Sequence, residues 1–174
     1  MQFLTRDELR RLFQAAYDHN RQHHLCLVTM FWSGLRVSET LAIRGRDIVD
    51  GQLSVKRLKK SRPTIHALKR SDDPLFDQSP LLAIAAHNPG RLFPWCRQNV
   101  DWFIKKYGAL AGIHPAKLHS HVAKHSICVL LWEETRDLNA IQDHVGHKAS
   151  SSTLVYMRAD AAAKAQRAVA GLVI

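Results

Sequence analysis

"GQLSVKRLKKSRPTIHAL", Gly51 to Leu68, is where the chain changes period. On either side, apolar residues recur at three and four positions, the spacing of helices. Here "GQLSVKRLK" and "RPTIHAL" are two short strand-like runs placed around Lys59, Lys60 and Ser61. That arrangement predicts a β-hairpin with a basic tip. The expected fold is therefore mainly α with a small antiparallel β-sheet, an α+β domain.

Working outward, Thr5 to Asn20 reads as a helix. Thr5 and Glu8 form a capping-box pattern, and Leu9, Leu12, Phe13 and Ala16 share one face. "HLCLVTMFWSG" is apolar nearly all round, which predicts a buried helix ending at Gly34. "VSETLAIR" follows as a short helix. Beyond the hairpin, "SDDPLFDQSPLLAIAAHN" gives a loop and a helix closed by "NPG". Val100, Phe103, Ile104 and Tyr107 make an amphipathic helix stopped by Gly112. An apolar-rich helix is expected from Ser120 to about Glu134. Asp137 then caps another that carries Leu138, Ile141 and Val145. "ADAAAKAQRAVAGL" at the end is strongly helix-prone. No repeat or low-complexity linker divides the 174 residues, so one domain over 1–174 is expected.

Charge narrows the class. The formal net charge is +10, which points to a polyanionic partner. No apolar run is long enough for a membrane helix, and "MQFLTRDELRR" has no apolar signal core. Cys26, Cys96 and Cys128 are odd in number and scattered, which suits reduced thiols rather than a disulfide frame. A cytoplasmic, nucleoid-associated protein is the expectation.

Two stretches carry residues able to do chemistry: "HSHVAKHS" (His119 to Ser126) and "DHVGHKASSSTLVY" (Asp143 to Tyr156). Metal binding is one reading of the histidines. His121 and His125 are four apart, and His144 and His147 three apart. No Glu stands between the first pair, and the cysteines are not at ligand spacing, so neither metal nor cofactor is expected. Phosphate chemistry needs a nucleophile, cations for the non-bridging oxygens, an acid and a base. Tyr156, the arginines, the lysines and the histidines offer all four.

The order of these residues resembles the catalytic domain of the tyrosine recombinases, the phage integrase family. "SGLRVSETLAIRGRDI" resembles that family's first box, with Arg36 at the catalytic arginine and Glu39 at its acidic partner. "VKRLKKSRPTIHAL" is similar to the hairpin whose tip carries the catalytic lysine. "HSHVAKHS" resembles the second box, H-x-x-R-H. In the last box a histidine precedes the nucleophilic tyrosine by nine residues, the spacing of His147 and Tyr156.

The resemblance implies site-specific recombination through a 3′-phosphotyrosyl intermediate. Tyr156 is then the nucleophile and Arg36 a phosphate clamp. Lys59 is the acid for the leaving oxygen, with Lys60 the alternative because hairpin register is poorly fixed by sequence. His121 assists proton transfer, and His147 bonds a non-bridging oxygen. Glu39 supports His121 or Arg36, or simply lies on the helix surface. His125 orders the turn or a catalytic side chain, while His119 and His144 are structural. Arg57, Lys60 and Arg62 are expected on backbone phosphates.

Lys124 is the departure, since the family usually has arginine there. Lysine keeps the charge but not the bidentate fork. A decayed remnant that binds DNA with little or no catalysis is therefore the alternative. On this reading 1–174 is the catalytic domain alone, and the family's N-terminal DNA-clamping domain is expected to be absent. The tail, residues 159–174, is expected to pack in cis or to dock on a neighbouring protomer. Expected partners are double-stranded DNA, further copies in a tetramer on DNA, and possible accessory DNA-bending proteins.

Overall fold

The computed structural model describes residues 2–58 and 61–148. Seven α-helices and a three-stranded sheet account for most of them: α1 (Arg6–His19), α2 (Arg21–Trp32), α3 (Val37–Ala42), β1 (Ile48–Val49), β2 (Gln52–Val55), β3 (Thr64–Ala67), α4 (Pro80–His87), α5 (Arg97–Leu110), α6 (Val122–Thr135) and α7 (Leu138–Val145). Short 3-10 turns stand at Gly45–Asp47 and Pro115–Lys117.

The predicted helix signals act as read. The Glu8 N–H donates to Thr5 Oγ1 at 3.2 Å, and the Thr5 N–H donates to Glu8 Oε2 at 2.8 Å, closing the capping box of α1. Leu9, Leu12, Phe13 and Ala16 are its buried face. Asp137 caps α7 by accepting from the Asn139 N–H at 2.7 Å. α2 buries eight consecutive residues, His24 to Phe31, and so forms the centre of the core. It packs against α1 and α6; α1 also meets α5, and α6 meets α7.

The sheet is antiparallel in the order β1–β2–β3, with Leu53 opposite His66 and Val55 opposite Thr64. It has one strand more than the expected hairpin. Ile48 and Val49 pair with Leu53 and Gln52 across a tight turn in which Asp50 and Gly51 both take positive φ. Such a two-residue strand leaves no alternation to detect in the sequence. Leu53, Val55, Thr64, His66 and Leu68 face the helices, and the alternate residues face solvent. Among the described residues, no helix is long and apolar enough to cross a membrane.

Candidate active site

The site is built where the end of α2, the start of α3, the hairpin, the start of α6 and the end of α7 converge. The chain leaves α2 through Gly34, at φ +54°, where a Cβ would sit 2.8 Å from Val145 Cγ1. Glycine is thus required both by the turn and by its close approach to α7. Arg36 follows. Its backbone N–H donates to Glu39 Oε2 and its Nη1 to Oε1, both at 2.8 Å. The Arg36 side chain keeps 22% of its surface exposed, whereas that of Glu39 has none.

Glu39 also accepts from the Leu58 N–H at 3.1 Å and from Arg57 Nη1 at 3.2 Å. Burial opposes its charge, but the Arg36 and Leu58 N–H groups and the Arg57 guanidinium outweigh that cost. They hold its carboxyl below the usual range. Of the roles read for Glu39, the contacts are those of a buried support to Arg36, not of a helix-surface residue.

The structure corrects the reading of Arg57. Its side chain has 0% exposure and cannot meet a backbone phosphate. It lies on the inward face because it continues the alternation of Leu53 and Val55. The guanidinium donates to Ser33 O (2.8 Å), Gly34 O (3.0 Å), His144 O (3.0 Å) and Thr64 Oγ1 (2.9 Å), besides Glu39. Nη2 also lies 3.0 Å from His66 Nε2. Burial pushes the His66 pKa down to about 3, helped by His144 and Arg57, so at neutral pH its ring is uncharged. Arg62 differs: its side chain is 58% exposed, with a long 3.8 Å contact to Asp143.

Lys124, in the first turn of α6, is 5% exposed, with Nζ 3.5 Å from Val145 O. Burial, then Arg36 and Arg57, push its pKa down to about 8. His147 follows Gly146 at the end of α7. Burial, then Lys124, Arg36 and Arg57, push its pKa down to about 4. His121 stands exposed at the N-cap of α6. Partial desolvation and then His119, Arg97, Arg36 and Lys124 hold its pKa below the ordinary histidine value. Arg36 and Lys124 thus act on both His121 and His147, and Arg36 acts on Lys124. The carboxylate that relieves Lys124 and His147 is Glu39, already shared between two arginines. Such a surplus of positive charge favours an anion.

The other histidines lie around this group. His144 Nε2 meets Trp32 O at 2.8 Å, which ties α7 to the end of α2. His125 is half-buried, its ring centroid 6.1 Å from that of His119 and 6.2 Å from that of His121. Burial, then His121 and His119, push its pKa down to about 4.

Two residues had escaped the sequence reading. Arg97 joins Arg36, Ser38, Leu58, Ser120 and His121 in lining a small cleft. It occupies the first turn of α5, where a cation opposes the helix dipole and no acid is present. Ser61 Oγ lies 3.5 Å from Arg36 Nη1. Lys59, Lys60, Tyr156 and the tail 159–174 lie outside the described residues. The residues flanking the two lysines are held: Leu58 by Glu39, and Arg62 by its N–H to Gly146 O at 2.8 Å. Gly146 is at φ +69°, and a Cβ there would collide with Arg62 O.

The phage integrase family matches residues 2–163. Tyrosine recombinase XerA of Thermococcus kodakarensis is 28% identical over 166 residues, covering 89% of this chain and 57% of the relative. Tyrosine recombinase XerD of Caulobacter vibrioides is 31% identical over 173 residues, covering 88% of this chain and 56% of the relative. The chain thus spans about half the length of these curated relatives. Among solved structures, the pre-cleavage complex of the XerH site-specific recombinase with its difH substrate superposes with a TM-score of 0.72 at 19% identity, covering 94% of this chain and 52% of that one. That likeness shows the fold. With a family match over nearly the whole length, the chain belongs to the phage integrase family, the tyrosine recombinases.

Proposed function

We propose that this chain breaks and rejoins double-stranded DNA in site-specific recombination, such as integration or excision of a mobile element. The observation that carries this reading is the seat formed by Arg36, Lys124 and His147, whose positive field is relieved by a single shared carboxylate. A scissile phosphate supplies the missing charge. The Tyr156 oxygen attacks phosphorus and the P–O5′ bond breaks. The 5′-oxygen leaves with a proton from the hairpin lysine, Lys59 or in its place Lys60. A 3′-phosphotyrosyl link remains, and a 5′-hydroxyl of the partner strand reverses the step. Arg36 offers a fork to two oxygens, Lys124 a point charge and His147 a neutral N–H. His121, exposed at the mouth, assists removal of the tyrosine proton. Arg62 and Lys60 rest on flanking phosphates.

The same reading makes residues 1–174 one catalytic domain, working as a tetramer on DNA, with 159–174 docking between protomers and DNA-bending proteins as possible accessories. It acts at the nucleoid in the cytoplasm. The test is a library of duplexes with randomised sequence and a nick beside the candidate cleavage point, so that the short leaving strand diffuses away. Wild-type protein should give a covalent adduct resistant to detergent, and sequencing the adducts gives the site. No adduct from any duplex would overturn the reading in favour of a DNA-binding remnant.

Lys124 makes a second expectation specific. Its ammonium is the form that holds phosphate, and it is lost as pH rises through about 8. The second-order rate of adduct formation, which reports the free enzyme, should therefore fall roughly tenfold per pH unit above that point. Lys124→Arg should remove this limb, because a guanidinium stays charged. A wild-type rate that is flat to pH 9.5, or the same limb in Lys124→Arg, would show that Lys124 does not hold the phosphate.

A further inference from the structure

Arg57 is the most heavily bonded buried side chain of the hairpin, and nothing in the strand-transfer chemistry uses it directly. Its partners belong to four separate elements. Ser33 and Gly34 end α2, His144 ends α7, Glu39 lies in α3, and Thr64 and His66 lie on β3. The last carbonyls of a helix lack partners within it and carry the negative end of its dipole. One guanidinium therefore terminates two helices at once. Its five N–H donors are fixed in a plane, and no other side chain matches that demand. Burial keeps the His66 ring neutral, and its Nε2 lies 3.0 Å from Arg57 Nη2 and 2.8 Å from Thr64 Oγ1. The hydroxyl of Thr64 accepts from Arg57 Nε.

Two of these contacts lead to residues of the proposed seat, Arg36 through Glu39 and His147 through the end of α7. Glu39 faces Arg57 through Oε2 and Arg36 through Oε1, while the Arg36 backbone N–H uses the remaining lone pair of Oε2. His147 begins three residues beyond the His144 carbonyl that Arg57 holds. We propose that Arg57 is a positioning residue: through Glu39 it fixes the Arg36 fork, so that the fork addresses the phosphate. Without the Arg57 charge, Arg36 is left to balance Glu39, which draws its guanidinium inward. Lysine at 57 keeps the charge but reaches only part of the set. This inference rests on the strand-transfer reading and refines its site.

The test is a double-mutant cycle on adduct formation with a nicked duplex selected from the library above. Wild type, Arg57→Lys, Arg36→Gln and the double variant are compared, with thermal melts as a check of folding. Arg57→Lys alone should slow the reaction about ten- to a hundredfold, the range for losing one or two charge-assisted bonds. In the Arg36→Gln background the same change should cost less than about threefold, since coupled residues are not additive. A scissile methylphosphonate gives a second reading, because it lacks the charged oxygen that the fork would hold. On it, Arg57→Lys should match wild type. Should Arg57→Lys fail to fold, Thr64→Val removes a single acceptor, and a smaller loss should again vanish without Arg36. Losses that multiply, or that persist equally on the methylphosphonate, would overturn the inference and leave strand transfer standing. A wild type without adduct would instead remove the strand-transfer reading, and this inference with it.

Discussion

Tyr156→Phe should reduce the covalent DNA adduct below detection, a loss of more than about a thousandfold, while DNA affinity stays within about threefold. The change deletes one oxygen, and that oxygen is the nucleophile of the proposed step. Phosphate seating is left to Arg36, Lys124 and His147, which the substitution does not touch. The chain has two other tyrosines, and neither can replace it. Tyr107 is 1% exposed, with its hydroxyl 2.7 Å from His23 Nδ1. Tyr17 lies under the Arg21 guanidinium and against the edge of His24, on the far end of α1 and α2. A gel shift alongside the detergent-resistant band separates binding from chemistry. Equal adduct from the variant, or mapping of the linked peptide to Tyr17 or Tyr107, would remove Tyr156 from the mechanism.

The parts of this molecule legible in its sequence are those governed by local rules. Thr5 with Glu8, Asp137 before Leu138, and the glycines at 34 and 112 mark helix ends through bonds made within a few residues. The period change at Gly51 to Leu68 marks the sheet. Arg57 shows where local rules stop. Its charge and its place near a basic tip suggested solvent and phosphate, and the alternation of Leu53, Val55 and Arg57 pointed inward. Two helix C-termini and Glu39 decided between them. These partners lie between 18 and 87 positions away, so no window of sequence contains them. Lys124 is similar. Its departure from arginine was visible, but its burial in the field of Arg36 and Arg57, and hence its lowered pKa, came from packing.

Glu39→Leu should destabilise the fold by about 3–5 kcal/mol, because it leaves a buried partner charge uncompensated. The carboxylate accepts four bonds, from the Arg36 N–H and Nη1, the Leu58 N–H and Arg57 Nη1. Leucine satisfies none of them, and Arg57 has no surface through which water could reach its guanidinium. Glu39→Gln keeps an acceptor but not the charge, and should cost about half as much. The informative variant is Glu39→Leu with Arg57→Met. Replacing both members of a buried pair by apolar groups is often near neutral, whereas removing one is not. The double variant should therefore be more stable than Glu39→Leu alone, as read by urea unfolding with an unchanged m-value. Recovery should be partial, because the carbonyls of Ser33, Gly34 and His144 still lose their common donor. If the pair is only a strut, regained stability brings regained DNA cleavage. If it orders Arg36, the double variant folds but stays slow. Singles that unfold within about 1 kcal/mol of wild type would show that water, not the ion pair, solvates this centre.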